Sequence, residues 1–103
     1  MQFSAYSLLL KAIVLVVLLS LSACETAPPV QEMSDARQAI AVAKEAGAEE
    51  FAAFHLKAAE DYLASAEEAL GKRAYSEARR DAKHAKMKAL DALKASESSA
   101  PKN

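Results

Sequence analysis

Apolar positions are distributed along this chain in three ways, and each predicts a different kind of element. Residues 12–19 read Ala-Ile-Val-Leu-Val-Val-Leu-Leu, one run without a polar interruption. Further on, Ala36, Ile40 and Ala43 share a face at helical spacing, with Ser34 as N-cap ahead of Asp35 and Gly47 as the stop. The clearest pattern follows. Ala52, Leu56, Ala59, Leu63, Ala66 and Leu70 are spaced 4, 3, 4, 3, 4, a heptad seam of alternating small and large residues. Phe51, Ala58, Tyr62 and Ala69 widen its apolar arc to roughly 200°, so this helix is expected between two other helices, or between one helix and a partner chain. Ala78, Ala82, Ala85, Ala89 and Ala92 then form a second seam, spaced 4, 3, 4, 3, on a helix from about Tyr75 to Ala95. Alanine buries little area, so this second seam serves close approach more than hydrophobic gain. The turn at Gly71-Lys72-Arg73-Ala74-Tyr75 folds one seam back on the other.

The expectation is an all-α fold, a short first helix plus an antiparallel helical hairpin, in a small three-helix arrangement over 34–95. Residues 24–33 read as a tether, because Pro28-Pro29 favours extended backbone and blocks helix initiation. Residues 96–103, with Ser98-Ser99 and Pro101, read as a disordered tail.

Composition narrows the picture. Among 103 residues there is no Trp, only two Gly and three Pro, which suits helices around a thin core. A single cysteine leaves no disulfide within the chain as a staple. Charge is nearly balanced, −1 overall, which argues against a nucleic-acid partner. Its distribution is uneven: residues 25–70 carry ten acids and three bases, whereas 72–94 carry eight bases and three acids. On the third helix Arg79, Arg80, Lys83, Lys86 and Lys94 span an arc of about 120° beside the alanine seam. This face either steers the basic helix onto the acidic one or meets an anionic partner, such as lipid, lipopolysaccharide or cell wall.

The apolar run ends at Leu21-Ser22-Ala23-Cys24, which resembles a bacterial lipobox. A branched apolar residue, two small residues and the cysteine are what lipoprotein processing needs, since the peptidase cleft admits little bulk before the cleaved bond. Residues 1–23 are then a lipoprotein signal peptide and Cys24 the acylated first residue of an 80-residue mature chain. An uncleaved span would need ~20 apolar residues, whereas eight lie between Lys11 and Ser20. Glutamate at position 25, where aspartate would signal inner-membrane retention, implies the outer membrane, facing the periplasm.

The stretch from Ala36 to Ala95 resembles an uncharacterised family of alanine-rich bacterial lipoproteins. The resemblance lies in Ala36-Arg37-Gln38-Ala39-Ile40, Ala46-Gly47-Ala48, Ala59-Glu60-Asp61-Tyr62-Leu63-Ala64-Ser65-Ala66 and Tyr75-Ser76-Glu77-Ala78-Arg79-Arg80. That family's domain has no assigned function and also occurs ahead of OmpA-like peptidoglycan-binding domains. This chain departs from the family pattern in lacking a proline near Ala53 and a Gly-Asp turn near Arg73-Ala74.

No catalytic set is legible, and the expectation is a non-enzyme with no cofactor and no metal. His55 and His84 are the only histidines; Asp81 and His84 stand three apart on a helix, but two ligands do not make a metal site. Glu60, Glu67 and Glu68 read as a solvated face and not as paired catalytic carboxylates. What remains is a membrane-anchored structural or adaptor module that binds an envelope protein or peptidoglycan and is capable of self-association. The alternative is a Braun-type murein lipoprotein, an alanine-seamed coiled-coil oligomer. Against it stand the two helix breaks and a Pro101-Lys102-Asn103 end in which lysine is not terminal. A small-ligand carrier would need a cavity that alanine seams do not provide.

Overall fold

The structure, a computed structural model, describes residues 2–23 and 27–99. These hold five helices and no strand: α1 (Gln2–Ala23), α2 (Val30–Glu45), α3 (Ala48–Phe51), α4 (Ala53–Gly71) and α5 (Tyr75–Ser99). Helices α2, α4 and α5 pack together, and the single turn α3 links α2 to α4 while packing chiefly against α5. Among the described residues, α1 packs against none of them.

The alanine seam lies at the centre. Ala78, Ala82, Ala85, Ala89 and Ala92 are all fully buried, and α5 touches both α4 and α2 along its length. A methyl side chain lets both neighbours come close, so α5, and not the helix with the broadest apolar arc, has the most extensive packing. Helix α4 does have the two neighbours its arc demands, α5 and α2. Bulk comes from the facing residues. Ile40, Leu56, Ala59, Ala89 and Ala92 form one cluster with Leu63 and Leu93 packed against it, while Met33, Ala66, Ala82 and Leu70 form a second nearer the hairpin turn. Ala66 and Ala82 therefore meet level with each other, as an antiparallel hairpin requires.

The hairpin turn is a Schellman motif. Ala74 N–H donates to the Ala69 carbonyl and Arg73 N–H to that of Leu70, which satisfies carbonyls at the end of α4. The motif needs a left-handed residue after the cap, and Arg73 supplies it at φ 61. At the end of α2 the same conformation falls to Gly47, φ 90, whose N–H donates to the Lys44 carbonyl. Gly71 is simply the last residue of α4.

Three boundaries differ from those the sequence predicts. Helix α2 begins at Val30, not Ser34, so residues 30–33 are helix and not tether. Pro29 is its N-cap and is tolerated because the first N–H groups of a helix have no internal partner. The pull is burial: Met33, the residue just before the Ser34 signal, is 2% exposed between α4 and α5. At the other end, α5 runs to Ser99, so residues 96–99 are helical and not a disordered tail. Ser96 continues the seam four residues after Ala92, fully buried, and donates its hydroxyl to the Ala92 carbonyl at 2.8 Å. Residues 100–103 lie outside the described residues. Finally, α3 was not predicted; Ala52 at φ −145 separates it from α4, next to the position where the resembling family carries proline.

Two sets of substitutions test this packing by chemical unfolding of the chain. Ala82→Leu should overpack the α4–α5 contact and cost ~1–3 kcal/mol, while exposed Lys83→Ala should cost less than ~0.5 kcal/mol. Arg73→Gly should raise stability by about 1 kcal/mol, because glycine adopts the left-handed conformation without the Cβ penalty. Gly47→Ala should lower it by at least about as much, because the added Cβ would also stand 3.2 Å from Phe51.

Candidate functional site

The five basic residues read as one face do not share one role. Arg79 turns inward. Its Nε lies 3.3 Å from Oε1 of Glu32 on α2, and its Nη2 donates to the carbonyl oxygen of Ala27 at 3.0 Å. At 25% and 29% side-chain exposure this is the most enclosed cross-helix ion pair among the described residues. It fixes the chain just before α2 beside the N-terminal end of α5. Arg80 is exposed, and its Nε lies 4.0 Å from Oδ1 of neighbouring Asp81. Lys83, Lys86 and Lys94 are exposed, with no ion-pair partner among the described residues.

Electrostatic steering between the basic and acidic helices is therefore not how the charges pair. The acids of α4 are met from α2: Arg37 reaches Glu67 at 3.3 Å and Lys44 reaches Glu60 at 3.2 Å. Between α4 and α5 the buried contacts are alanine and leucine beside one ring contact, Tyr62 stacked on His84 with centroids 5.1 Å apart, and polar residues gather at the edge around Glu68 and Glu77. His84 is thus half-buried packing against α4 and not a surface histidine. Asp81 and His84 gather no third ligand, and no group of three metal-binding side chains occurs among the described residues.

Two apolar features were missed in the sequence. On the outward side of α5, Met87 is 56% and Leu90 41% exposed, interleaved with Lys83, Lys86 and Lys94. Leu90 and Leu93 line an open groove against α2, with Asp35, Gln38, Ala39, Val42 and Lys86. The signal for this stripe was present in the 3–4 spacing of Lys83, Met87, Leu90 and Lys94. At the start of α4, Phe54 is 83% exposed and sits edge-to-face with His55, ring centroids 5.8 Å apart.

Leu21, Ser22 and Ala23 end α1, while Cys24 and Glu25 lie outside the described residues. The side chains from Tyr6 to Leu19 stand uncovered, and the hollows along them are gaps on one helix and not a cavity. Among the described residues no helix is long and apolar enough to cross a membrane.

Residues 31–102 match a family described as a domain of unknown function, DUF4398. The chain belongs to this family. The DUF4398 match covers α2 to α5, the whole packed unit, and leaves out α1, in keeping with a helix that takes no part in the core. No curated protein and no solved structure matches the chain.

The Arg79 cluster makes a specific prediction. Arg79→Ala should speed amide exchange across residues 30–33 and cost about 1 kcal/mol, since it removes a partly enclosed ion pair and the hydrogen bond to the Ala27 carbonyl. Lys72→Ala, which removes an exposed pair with Glu68, should change neither measurably.

Proposed function

We propose that this DUF4398 chain is an envelope lipoprotein: exported by residues 1–23, acylated on Cys24, and acting as a small helical structural or adaptor module at a membrane surface. The observation that carries the reading is α1. Its apolar side chains are exposed and, among the described residues, it packs against none of α2 to α5, so the helical unit does not account for eight consecutive apolar residues just ahead of a lipobox. A helix of that kind is stable only out of water, in a translocation channel or bilayer. Two or more acyl chains on Cys24 would hold the processed protein stably, since each buried methylene adds ~0.8 kcal/mol.

The module offers binding surface along its helix faces. Its pockets are open grooves on helix faces, and its titratable groups are spread in surface pairs. This supports a partner-binding role, with envelope protein or peptidoglycan as partner and the outer membrane as the seat. The Braun-type rod is less well supported, because it needs the alanine seam of α5 for contacts between chains, and here that seam is buried inside one chain.

Cys24→Ser tests the anchor. In metabolic labelling with palmitate, the unchanged chain should take up label and run at the size of residues 24–103, and Cys24→Ser should lose the label and accumulate as precursor. Normal processing and labelling of the variant would refute the assignment.

A further inference from the structure

We infer that α5 is a membrane-lying helix: its outward face, Arg80, Lys83, Met87, Leu90 and Lys94 with Lys86 at the rim, rests on an anionic phospholipid surface. The inference rests on membrane attachment at Cys24 and adds an orientation to it. Three observations carry it.

The first is the length of chain available. Arg79 holds the Ala27 carbonyl at 3.0 Å and Glu32 at 3.3 Å, so the chain leaves the helical unit beside the N-terminal end of α5. From Ala27 back to Cys24 is three residues, at most about 11 Å of extended chain. A proline-containing tether running to residue 33 would have let the unit stand well clear of the membrane. With helix beginning at Val30 and residue 27 pinned, it cannot.

The second is charge. The bases of α2 are used on the acids of α4, and Arg79 is used on Glu32. That leaves Arg80, Lys83, Lys86 and Lys94 on the outward side of α5, against Glu97 within the same arc, Asp91 at its edge and Asp35 of α2 in the groove beside Lys86. Each lysine or arginine near an anionic bilayer contributes about a fivefold attraction.

The third is the apolar pair between them. Met87 and Leu90 are 56% and 41% exposed on a helix otherwise buried along its alanine seam. Apolar residues flanked by lysines are the pattern of a helix seated in the headgroup region, where methylenes bury and ammonium groups reach phosphate. The acidic residues Glu60, Asp61, Glu67 and Glu68 lie on α4, away from that face.

The test uses the purified full chain on two vesicle preparations, phosphatidylglycerol mixed with phosphatidylethanolamine, and phosphatidylcholine alone. A membrane-impermeant amine reagent is followed by residue-resolved mass spectrometry. Labelling of Lys83, Lys86 and Lys94 should fall at least about threefold on anionic vesicles relative to neutral ones, while Lys57 and Lys72 should be unchanged. Lys83→Glu combined with Lys94→Glu, both exposed and harmless to folding, should abolish the protection of Lys86. Protection confined to Lys72 would mean that the unit stands on its hairpin turn, and would overturn the inference. So would equal labelling in both preparations, including the case in which these lysines are shielded only in cells, where the occupant is then a protein or peptidoglycan. The same spectra report the mass at Cys24. An acylated chain with unprotected α5 lysines sinks the orientation and leaves the anchor standing. A chain without acyl groups sinks the anchor, and protection of its α5 lysines would still support the orientation, with α1 as the attachment.

Discussion

The structure depends on how closely helices can approach across alanine. Along α5, five successive seam positions carry nothing larger than a methyl group, and all five are inaccessible to solvent. Such a seam contributes little transfer free energy per residue, so the larger apolar groups around it must supply the rest: Met33 and Ile40 from α2, Leu56, Leu63 and Leu70 from α4. Those groups reach one another only because the seam between them is thin. Enlarging one alanine therefore does more than crowd a site. It lifts two helices off α5 together and loosens contacts made by residues on both of them.

Much of this arrangement was legible in sequence, because the 4-3 spacing of small residues is a direct statement about one helix face. The hairpin, its turn and the level pairing of Ala66 with Ala82 followed from spacing alone. The boundaries that differ share a cause: at each, tertiary burial overrides the local signal. Ser34 followed by Asp35 has the chemistry of a helix start, yet Met33 just before it has a buried place between two other helices, and burial of that side chain outweighs a cap. Ser96 belonged to a serine-rich end that looked unstructured, although it stands four residues after Ala92 in the seam's own rhythm. Its hydroxyl returns to the helix backbone, so a polar residue occupies a buried seam position without an unpaired group.

The candidate site was legible as an arc but not as a set of roles. Helical spacing placed the five bases on one side of α5, and it could not say that Arg79 would be taken up by Glu32 and the Ala27 carbonyl. That depends on where α2 begins, the boundary the sequence obscured. Nor could it show that Met87 and Leu90 would be left uncovered, since a 3–4 spacing of apolar residues normally marks a buried face. Which faces are buried is decided by the neighbours, and α2 and α4 both sit toward the alanine side.

This placement accounts for the division of charge along the chain. Had the basic helix paired with the acidic one, the positive residues would be neutralised inside the unit and the two halves of the sequence would cancel. Instead the contact of α5 with α4 is alanine, leucine and one ring stack, with no ion pair among the described residues. An interface built on close approach has no room for long charged side chains, so they are displaced to its edges. On α4 the edge faces α2, whose Arg37 and Lys44 meet the acids there. On α5 the outer edge forms an open groove with α2 at Lys86 and Leu90, and Lys83, Lys86 and Lys94 are exposed without an ion-pair partner among the described residues. The asymmetry of the surface thus follows from the smallness of the seam. Residues too small to bind anything themselves dictate where every charge in the unit can point.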